Sequence, residues 1–421
     1  MTVPIEARLV DLANLIVAKG SNFLLTVVLF ALISRGMDSH AFGEFGYWWS
    51  ISIMIGGVLL GGMSSALVRI AAVHGSLRHL LNPLRHAAIG LLAVALVWSG
   101  IVWALPQFSS LAFLMAAVGL FGLSVQAQTA VLSLLRAAEA TRTNAVASTA
   151  VVMIVPVIIF FWMRTASELS QIFFGLAVAF AIGTITAMAI SSTTLSPLWT
   201  RSVVSGTSVG AFVKSMSSFT AVNIFSYAVV NIDFTLFRLI GTPDDFAVMA
   251  SAKVFFERFV VPMLMVFSGA ISLRVLRHPH QSNGSNLQLS AHINFRFLLG
   301  AIATVLLLVG AYWVFTRLIR ADAVAMSLFW VACASAGYLL YAVNGVMLDV
   351  LVVQHSLATV VKHIVGFLLL SGAVQGLSIA TFGVPGWALG WLCINLVVAA
   401  ILSRSCLRLR WSSTNISKQT E

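Results

Sequence analysis

The sequence predicts an all-α integral membrane protein of about twelve transmembrane helices. The first reason is composition: of 421 residues, 60% are hydrophobic and only 9% are charged, whereas a soluble domain carries about a quarter charged residues. The second is a mean hydropathy of +1.00. The third is the regular recurrence of apolar runs that are long enough to cross a bilayer.

These apolar runs define the predicted helices in chain order. They cover residues 11–33, 46–72, 87–105, 110–135, 144–163, 170–192, 211–240, 246–272, 297–316, 324–348, 357–379 and 385–403. A polar connection near the middle of the chain divides them into two groups of six. We therefore predict an N-terminal lobe at 1–192, a cytoplasmic loop at 193–210, a C-terminal lobe at 211–404 and a cytoplasmic tail at 405–421.

Basic residues in the connections fix the predicted orientation. One set of connections is rich in them and contains Arg8, Arg78, Arg85, Arg136, Arg142, Arg201, Arg274, Arg277, Arg296, Lys362, Arg404, Arg408, Arg410 and Lys418. The opposite set contains Arg35, Arg164, Arg317 and Arg320. Because positive residues stay on the cytoplasmic side, we expect both termini in the cytoplasm. This dispersal also argues against nucleic acid as the partner, despite a formal net charge of +11.

The two lobes show a short internal similarity that suggests a parallel repeat. An acidic residue comes a few positions before a phenylalanine and small residues in the segment 35–46 and again in the segment 241–250. With six helices in each half, both halves would have the same orientation in the membrane.

The first predicted helix carries a polar face. Lys19 lies roughly 10–15 Å from either end of its run, a depth at which a lysine must face protein or water. Asn22 falls on the same quarter of the circumference, as do Arg8, Asp11 and Thr26. In the second helix, Gly57 and Gly61 have the spacing that allows two helix backbones to approach closely.

The seventh and eighth helices carry the other candidate site residues. In the seventh, a sector of about 80° contains Asn223, Tyr227, Asn231 and Arg238, with Asp233 beside it. In the eighth, Lys253 and Glu257 are one turn apart and can pair. Arg258 points about 100° away from Glu257. Charges at this depth indicate a functional site, and the alternative is a structural ion pair that holds helices together.

Motifs for enzymes, metals and cofactors are missing from the sequence. Six of the nine histidines fall in two cytoplasmic loops without metal-ligand spacing, and the three cysteines are scattered along helices. The chain has no phosphate-binding glycine loop and no nucleophile elbow. We therefore predict no catalytic residues, no metal and no cofactor.

Short motifs in both halves resemble one family. They are Lys19-Gly20, the segments 34–37 and 42–46, the ending of the second helix at 61–69, the segment 252–262 with Lys253 and Glu257, and the turn at 383–390. In these residues the chain resembles the polysaccharide and O-antigen flippases of the multidrug/oligosaccharidyl-lipid/polysaccharide exporter superfamily. The related peptidoglycan-precursor flippases have two further C-terminal helices, in addition to the twelve that we predict here.

The resemblance implies a V of two six-helix lobes around a cationic cavity that opens alternately to each side. The implied cargo is an undecaprenyl-pyrophosphate-linked oligosaccharide for O-antigen, capsule or exopolysaccharide synthesis. Lys19, Lys253, Arg258 and Arg238 would bind the pyrophosphate, and Asn22, Asn223, Tyr227 and Asn231 would meet sugar hydroxyls. Lys19 and Lys253 would meet at a side opening for the lipid tail. The implied location is a bacterial inner membrane. The partners would be membrane lipids, a polysaccharide polymerase and its chain-length machinery.

Two alternatives remain open at this point. A cation-coupled drug or metabolite exporter of the same superfamily would use buried carboxylates, and Asp233 and Glu257 are the candidates for ion coupling. A membrane-embedded polymerase or ligase would need a large outer loop with catalytic basic residues, and every predicted outer loop is short.

Overall fold

The computed structural model describes residues 5–63, 97, 100, 110–138, 140–200, 209–261, 295–319, 326–354 and 357–408. Within these ranges the chain is helical apart from short connections. The third predicted run, 87–105, lies outside them except for Val97 and Gly100. The twelve-helix, two-lobe arrangement therefore stays a prediction, while the all-α class is confirmed.

The described chain divides into two compact units, Met1–Phe234 and Thr235–Glu421. The helices of the first unit are α1 (Ile5–Ser34), α2 (Ser39–Gly56), α3 (Ser110–Ala137), α4 (Thr141–Trp162), α5 (Leu169–Thr200) and most of α6 (Val209–Ile240). The end of α6 leads into the second unit, with α7 (Pro243–Phe255), α8 (Phe295–Ile319), α9 (Leu328–Gln354) and α10 (Leu357–Arg408). The predicted lobe boundaries at 1–192 and 211–404 stay a prediction.

Two of these helices end in a π-helical turn. The turn Gly57–Gly61 continues α2, and the turn Phe256–Val260 continues α7. A π turn has i to i+5 hydrogen bonds and is rare, and it occurs frequently at functional sites. Both turns lie within single predicted runs, so hydrophobic periodicity alone could not show them.

Six segments of the described residues are long and apolar enough to cross a membrane. They are Ser110–Leu135, Thr141–Trp162, Leu169–Thr194, Gly300–Arg317, Leu328–Gly345 and Val360–Arg404. The last covers 45 residues and contains the predicted runs 357–379 and 385–403. These two runs form the arms of α10, because Gly383 at φ 60° and ψ −132° interrupts the helix between them. The protein is therefore a multi-pass membrane protein.

The first unit is organised around a buried aromatic cluster. The Phe30 ring lies 5.6 Å from the Phe45 ring, and Phe45 stacks on Phe173 at 5.3 Å. Trp49 meets Phe121 edge-on at 4.6 Å. Each such pair contributes about 0.5–1.5 kcal/mol beyond its burial, so this cluster joins α1, α2, α3 and α5.

Glycines bring α2 and α3 into close contact. A side chain on Gly56 would collide with the backbone of Gly122, and a side chain on Gly122 would collide with the carbonyl of Ser52. Small residues at a helix crossing let two backbones approach, which is how membrane helices gain packing energy in lipid.

The second unit has its own aromatic cluster. Phe256 stacks between Tyr312 of α8 at 6.2 Å and Tyr338 of α9 at 4.9 Å. Tyr338 in turn lies 5.1 Å from Trp391 on the second arm of α10. The aromatic rings therefore hold the beginning of the second π turn against three other helices.

Structural details support the internal repeat. Asp38 caps α2 by accepting from the backbone N–H of Ala41 at 2.8 Å, and Thr242 caps α7 by accepting from Asp245 at 3.2 Å. The two caps are 204 positions apart (242 minus 38). The same offset relates buried residues of the two predicted lobes: Phe30 with Phe234, Ile33 with Phe237, Phe42 with Phe246, and Phe45 with Met249.

Replacing Gly122 by alanine should destabilise the protein by about 1–3 kcal/mol, because the new methyl group overpacks the contact between α2 and α3. Thermal unfolding of the purified protein in detergent measures this. Gly310→Ala is the matched control, since nothing lies within 4 Å of the added carbon, and it should be neutral or stabilising. Equal unfolding temperatures for the two variants would contradict the close approach.

Candidate functional site

A buried ion pair lies where α7 passes into its π turn. The Lys253 Nζ atom is 3.0 Å from Oε1 of Glu257, and the two residues are one turn apart. Lys253 is 0% exposed and Glu257 is also buried. The helix that carries them begins at Pro243 after the Thr242 cap, so its start is fixed by local sequence.

The residues between this pair in the chain pack among aromatic rings. Phe255 packs against Tyr312 at 5.3 Å and against Phe315 at 5.2 Å, and Phe256 lies in the stack with Tyr338. At a buried position, where the dielectric constant is low, opposite charges attract strongly while a single charge is costly. Removing one partner of a buried pair commonly costs about 3–5 kcal/mol.

The fold itself does not require charges at these positions. The repeat offset of 204 (253 minus 49) pairs Lys253 with Trp49, and it pairs Glu257 with Ile53. Trp49 is a buried residue of the first aromatic cluster. The first unit therefore builds the corresponding helix with an apolar pair, and hydrophobic replacement of a buried ion pair is often neutral or stabilising.

The polar residues of α6 lie in different environments. Asn231 donates from Nδ2 to the backbone carbonyl of Tyr227 at 2.8 Å, and its Oδ1 atom is buried without a hydrogen bond. Asp233 is 1% exposed, and its Oδ1 accepts from the backbone N–H of Phe234 at 2.8 Å. Arg238 is exposed in the last turn of the helix. The structure thus buries Asp233 and leaves Arg238 accessible.

The remaining predicted site residues are only partly described. Asn22 is half-buried on α1, where its backbone carbonyl accepts from Thr26 Oγ1 at 3.1 Å. The side chains of Lys19, Asn223 and Arg258 lie outside the described residues. The predicted meeting of Lys19 with Lys253, and the role of Asp233 as a partner for Arg258, therefore stay predictions.

Sequence reasoning missed a buried polar pair on the first arm of α10. Ser371 and Gln375 are one turn apart and 0% exposed, and neither the hydroxyl nor the amide has a hydrogen-bond partner among the described atoms. A glutamine within an apolar run is the signal that was available. Gly57 was predicted to allow a close approach, and the Tyr227 ring packs against it at the first π turn.

Within the described ranges, no three His, Cys, Asp or Glu residues lie close enough together to hold a metal ion. Lys253 and Glu257 are one pair of charges that the structure brings together.

Comparison with solved structures identifies the fold. The chain matches a eukaryotic MATE transporter, AtDTX14, at 14% identity over 96% of this chain and 97% of that chain, with a TM-score of 0.57. It has the fold of the MATE transporters. A multidrug resistance MATE family transporter of the MOP superfamily, in its outward-facing conformation, matches at 12% identity, with coverage of 98% and 97% and a TM-score of 0.58.

A third structure is a MOP superfamily transporter from Pyrococcus furiosus, matched at 12% identity with coverage of 94% and 93% and a TM-score of 0.58. Its binding pocket is described as having reverse polarity, which suggests a different function for that protein. No family model matches the sequence. No curated protein matches it either. At these identities the comparisons establish the MATE fold.

Replacing Lys253 by methionine should destabilise the protein by about 3–5 kcal/mol, because it removes the counter-charge that lies 3.0 Å from the buried Glu257 carboxylate. The double variant Lys253→Met/Glu257→Leu should recover most of that loss, since its apolar pair corresponds to Trp49 and Ile53 of the first unit. Thermal unfolding in detergent at neutral pH measures both variants. Additive losses in the double variant would show that the two side chains do not interact.

Proposed function

We propose that this protein is a secondary transporter of the MOP superfamily type that exports its cargo across the cytoplasmic membrane by alternating access. The MATE fold along nearly the whole chain supports this proposal. The observation that carries it is the Lys253–Glu257 pair, because charges buried within an apolar helix bundle typically mark the binding or coupling sites of transporters. The proposal includes no catalytic step.

The transport cycle needs a source of energy, and buried carboxylates can supply the coupling. Asp233 and Glu257 are both buried. A carboxylate in this setting can take up a proton or a sodium ion on one side of the membrane and release it on the other, since the bound cation neutralises its charge. We therefore assign cation coupling to these two residues.

The first candidate cargo is a drug or another organic metabolite. The solved structures favour this candidate, because they include a multidrug resistance transporter. Buried carboxylates are also what a cation-coupled exporter requires.

The second candidate cargo is an undecaprenyl-pyrophosphate-linked oligosaccharide. Its specific support is Lys253, a cation at a completely buried position that the first unit fills with Trp49. A buried ammonium group suits a phosphate and does not suit a cationic drug. Polar side chains on α1 and α6, Asn22 and Asn231 among them, would contact the sugars.

If Glu257 couples transport to an ion gradient, Glu257→Gln should strongly reduce gradient-driven transport in proteoliposomes that contain the purified protein. If the cargo is an organic cation, a proton or sodium gradient drives ethidium transport, and this variant reduces the gradient-dependent part at least about tenfold. Asp244→Asn, at an exposed residue in the first turn of the same helix, is the control and should keep full transport. Gradient-driven transport that survives in Glu257→Gln would remove this residue from the coupling mechanism.

The lipid-linked cargo predicts a different result in a polysaccharide-producing host that depends on this protein. Lys19→Ala should abolish surface polysaccharide, because the pyrophosphate loses a cation of its binding site, and the amount of protein in the membrane should not change. Immunoblots of membranes and of extracted polysaccharide measure both. Lys362→Ala, at an exposed lysine of α10, is the control. Normal polysaccharide in Lys19→Ala would count against this cargo.

A further inference from the structure

The second half of α4 exposes an apolar surface that finishes at an arginine. The exposed side chains are Met153, Val157, Phe160 and Phe161, which are between 44% and 68% exposed. Exposed Arg164 follows just after the helix end. At about 100° per residue, the first three of these side chains and Arg164 fall within roughly 60° of the circumference. Because the exposed side chains before the arginine are all apolar, we assign this surface to the lipid.

Arg164 is held over the last two rings of this surface. Its Cζ atom lies 4.8 Å from the Phe160 ring centroid and 5.5 Å from the Phe161 ring centroid. The two rings meet edge to face at 5.5 Å. Since the face of an aromatic ring attracts a guanidinium group at such distances, the rings fix Arg164 at the end of the apolar surface.

The same arrangement occurs at the end of α8 in the second unit. Trp313 is 53% exposed, and the Arg317 Cζ atom lies 5.4 Å from its ring centroid. Exposed Leu306, Gly310 and Val314 complete an apolar surface with the spacing seen on α4. In the predicted repeat the fifth apolar run corresponds to the eleventh and not to the ninth. The duplication therefore does not explain why the arrangement recurs.

The length of each apolar surface matches one leaflet of a bilayer. Eleven positions separate Met153 from Arg164 (164 minus 153) and Leu306 from Arg317 (317 minus 306), which is roughly 16 Å at the helical rise. Half of the hydrocarbon core measures about 15 Å. A phospholipid whose acyl chain lies along either surface would therefore have its phosphate beside the arginine. The distribution of basic residues predicts both arginines on the non-cytoplasmic side, so the leaflet is the outer one.

A phosphate group is the ligand that these two arginines suit. A guanidinium group carries five N–H donors in a planar fork that matches two phosphate oxygens. An aromatic ring has no lone pair to accept from that fork, so the ring contact leaves the donors available. Within the described ranges, neither Arg164 nor Arg317 is in ion-pair contact with a carboxylate. Glu168 follows Arg164 in the chain, and its Oε2 atom accepts from Ser170 Oγ at 3.3 Å.

We propose that Arg164 and Arg317 each bind the phosphate of an anionic phospholipid in the outer leaflet, while the ring under each guanidinium group holds it at the level of the head groups. A head group with a net negative charge is preferred to a zwitterionic one, because the ammonium group of the latter would lie near a fixed positive charge. A phosphate free in solution has no acyl chain to cover the apolar surface. This inference concerns the surrounding bilayer and does not depend on the cargo.

Native mass spectrometry of the purified full-length protein in detergent tests the inference. The probes are dioleoyl phosphatidylglycerol, dioleoyl phosphatidylcholine with the same acyl chains, and water-soluble glycerol 3-phosphate. The wild type should bind phosphatidylglycerol at least about tenfold more tightly than phosphatidylcholine, and it should form no complex with glycerol 3-phosphate. Arg164→Gln and Arg317→Gln should each keep only the lipid of the other site. The double variant should bind phosphatidylglycerol at least about tenfold more weakly than the wild type.

Two further kinds of variant separate the stacked sites from positive charge alone. Arg35 is exposed and predicted on the same side of the membrane, and no ring of the described residues lies under its guanidinium group, so Arg35→Gln should bind phosphatidylglycerol as the wild type does. Phe160→Leu and Trp313→Leu keep both charges but remove the rings, and each should weaken binding at its own site by about threefold. The replaced side chains are all exposed, so every variant should unfold at the wild-type temperature without added lipid.

The inference is overturned if the double arginine variant binds phosphatidylglycerol as tightly as the wild type does. It is also overturned if Arg35→Gln loses as much binding as Arg164→Gln, because charge alone would then attract the lipid. Equal binding of phosphatidylcholine would remove the preference for an anionic head group. Binding of glycerol 3-phosphate as tight as that of the lipid would show a site for free phosphate and not for a phospholipid.

Discussion

An ammonium group within a bundle of apolar helices needs a counter-charge, and this need governs the second unit. Lys253 meets it with Glu257, one turn away on the same helix. Beside this pair, Phe255 and Phe256 pack against aromatic rings of α8 and α9. The Thr242 cap fixes where α7 begins. The spacing of four residues then places the two side chains on one face of the helix. The attraction within the pair is strong for the same reason that each charge alone is costly.

The sequence was sufficient for the all-α membrane class and for this pair, because both depend on local patterns. Apolar runs of about twenty residues predict spans, and a spacing of four residues places Lys253 and Glu257 on one face. The aromatic clusters could not be predicted, since they join residues far apart in the chain, such as Phe256 and Trp391 through Tyr338. The π turns could not be predicted either, because one additional residue in a helical turn does not change the hydrophobicity of the apolar run. The fold does not fix the cargo, because the structures that share it include a transporter whose binding pocket has reverse polarity.

The two units show how a duplicated framework can diverge in chemistry. Helix caps and buried core positions recur at a constant offset, as in Asp38 with Thr242 and Phe42 with Phe246. At the same offset an indole in one unit corresponds to an ammonium group in the other. Trp49 and Lys253 are therefore both buried, while their polarity differs. A residue that departs from its counterpart in polarity but not in burial is a strong candidate for function in either unit.

The turn at Gly383 has a consequence for how the last part of the chain is made. The two arms of α10 are joined without a loop, and Gly386 on the second arm packs directly on the backbone of Ser378 on the first. This close contact between the two backbones holds the arms in one register, and any larger side chain at this glycine would prevent the contact. During biosynthesis the two arms can therefore leave the insertion machinery as one preassembled hairpin. Its arrival would place both ends of the hairpin on the same side of the bilayer in a single event.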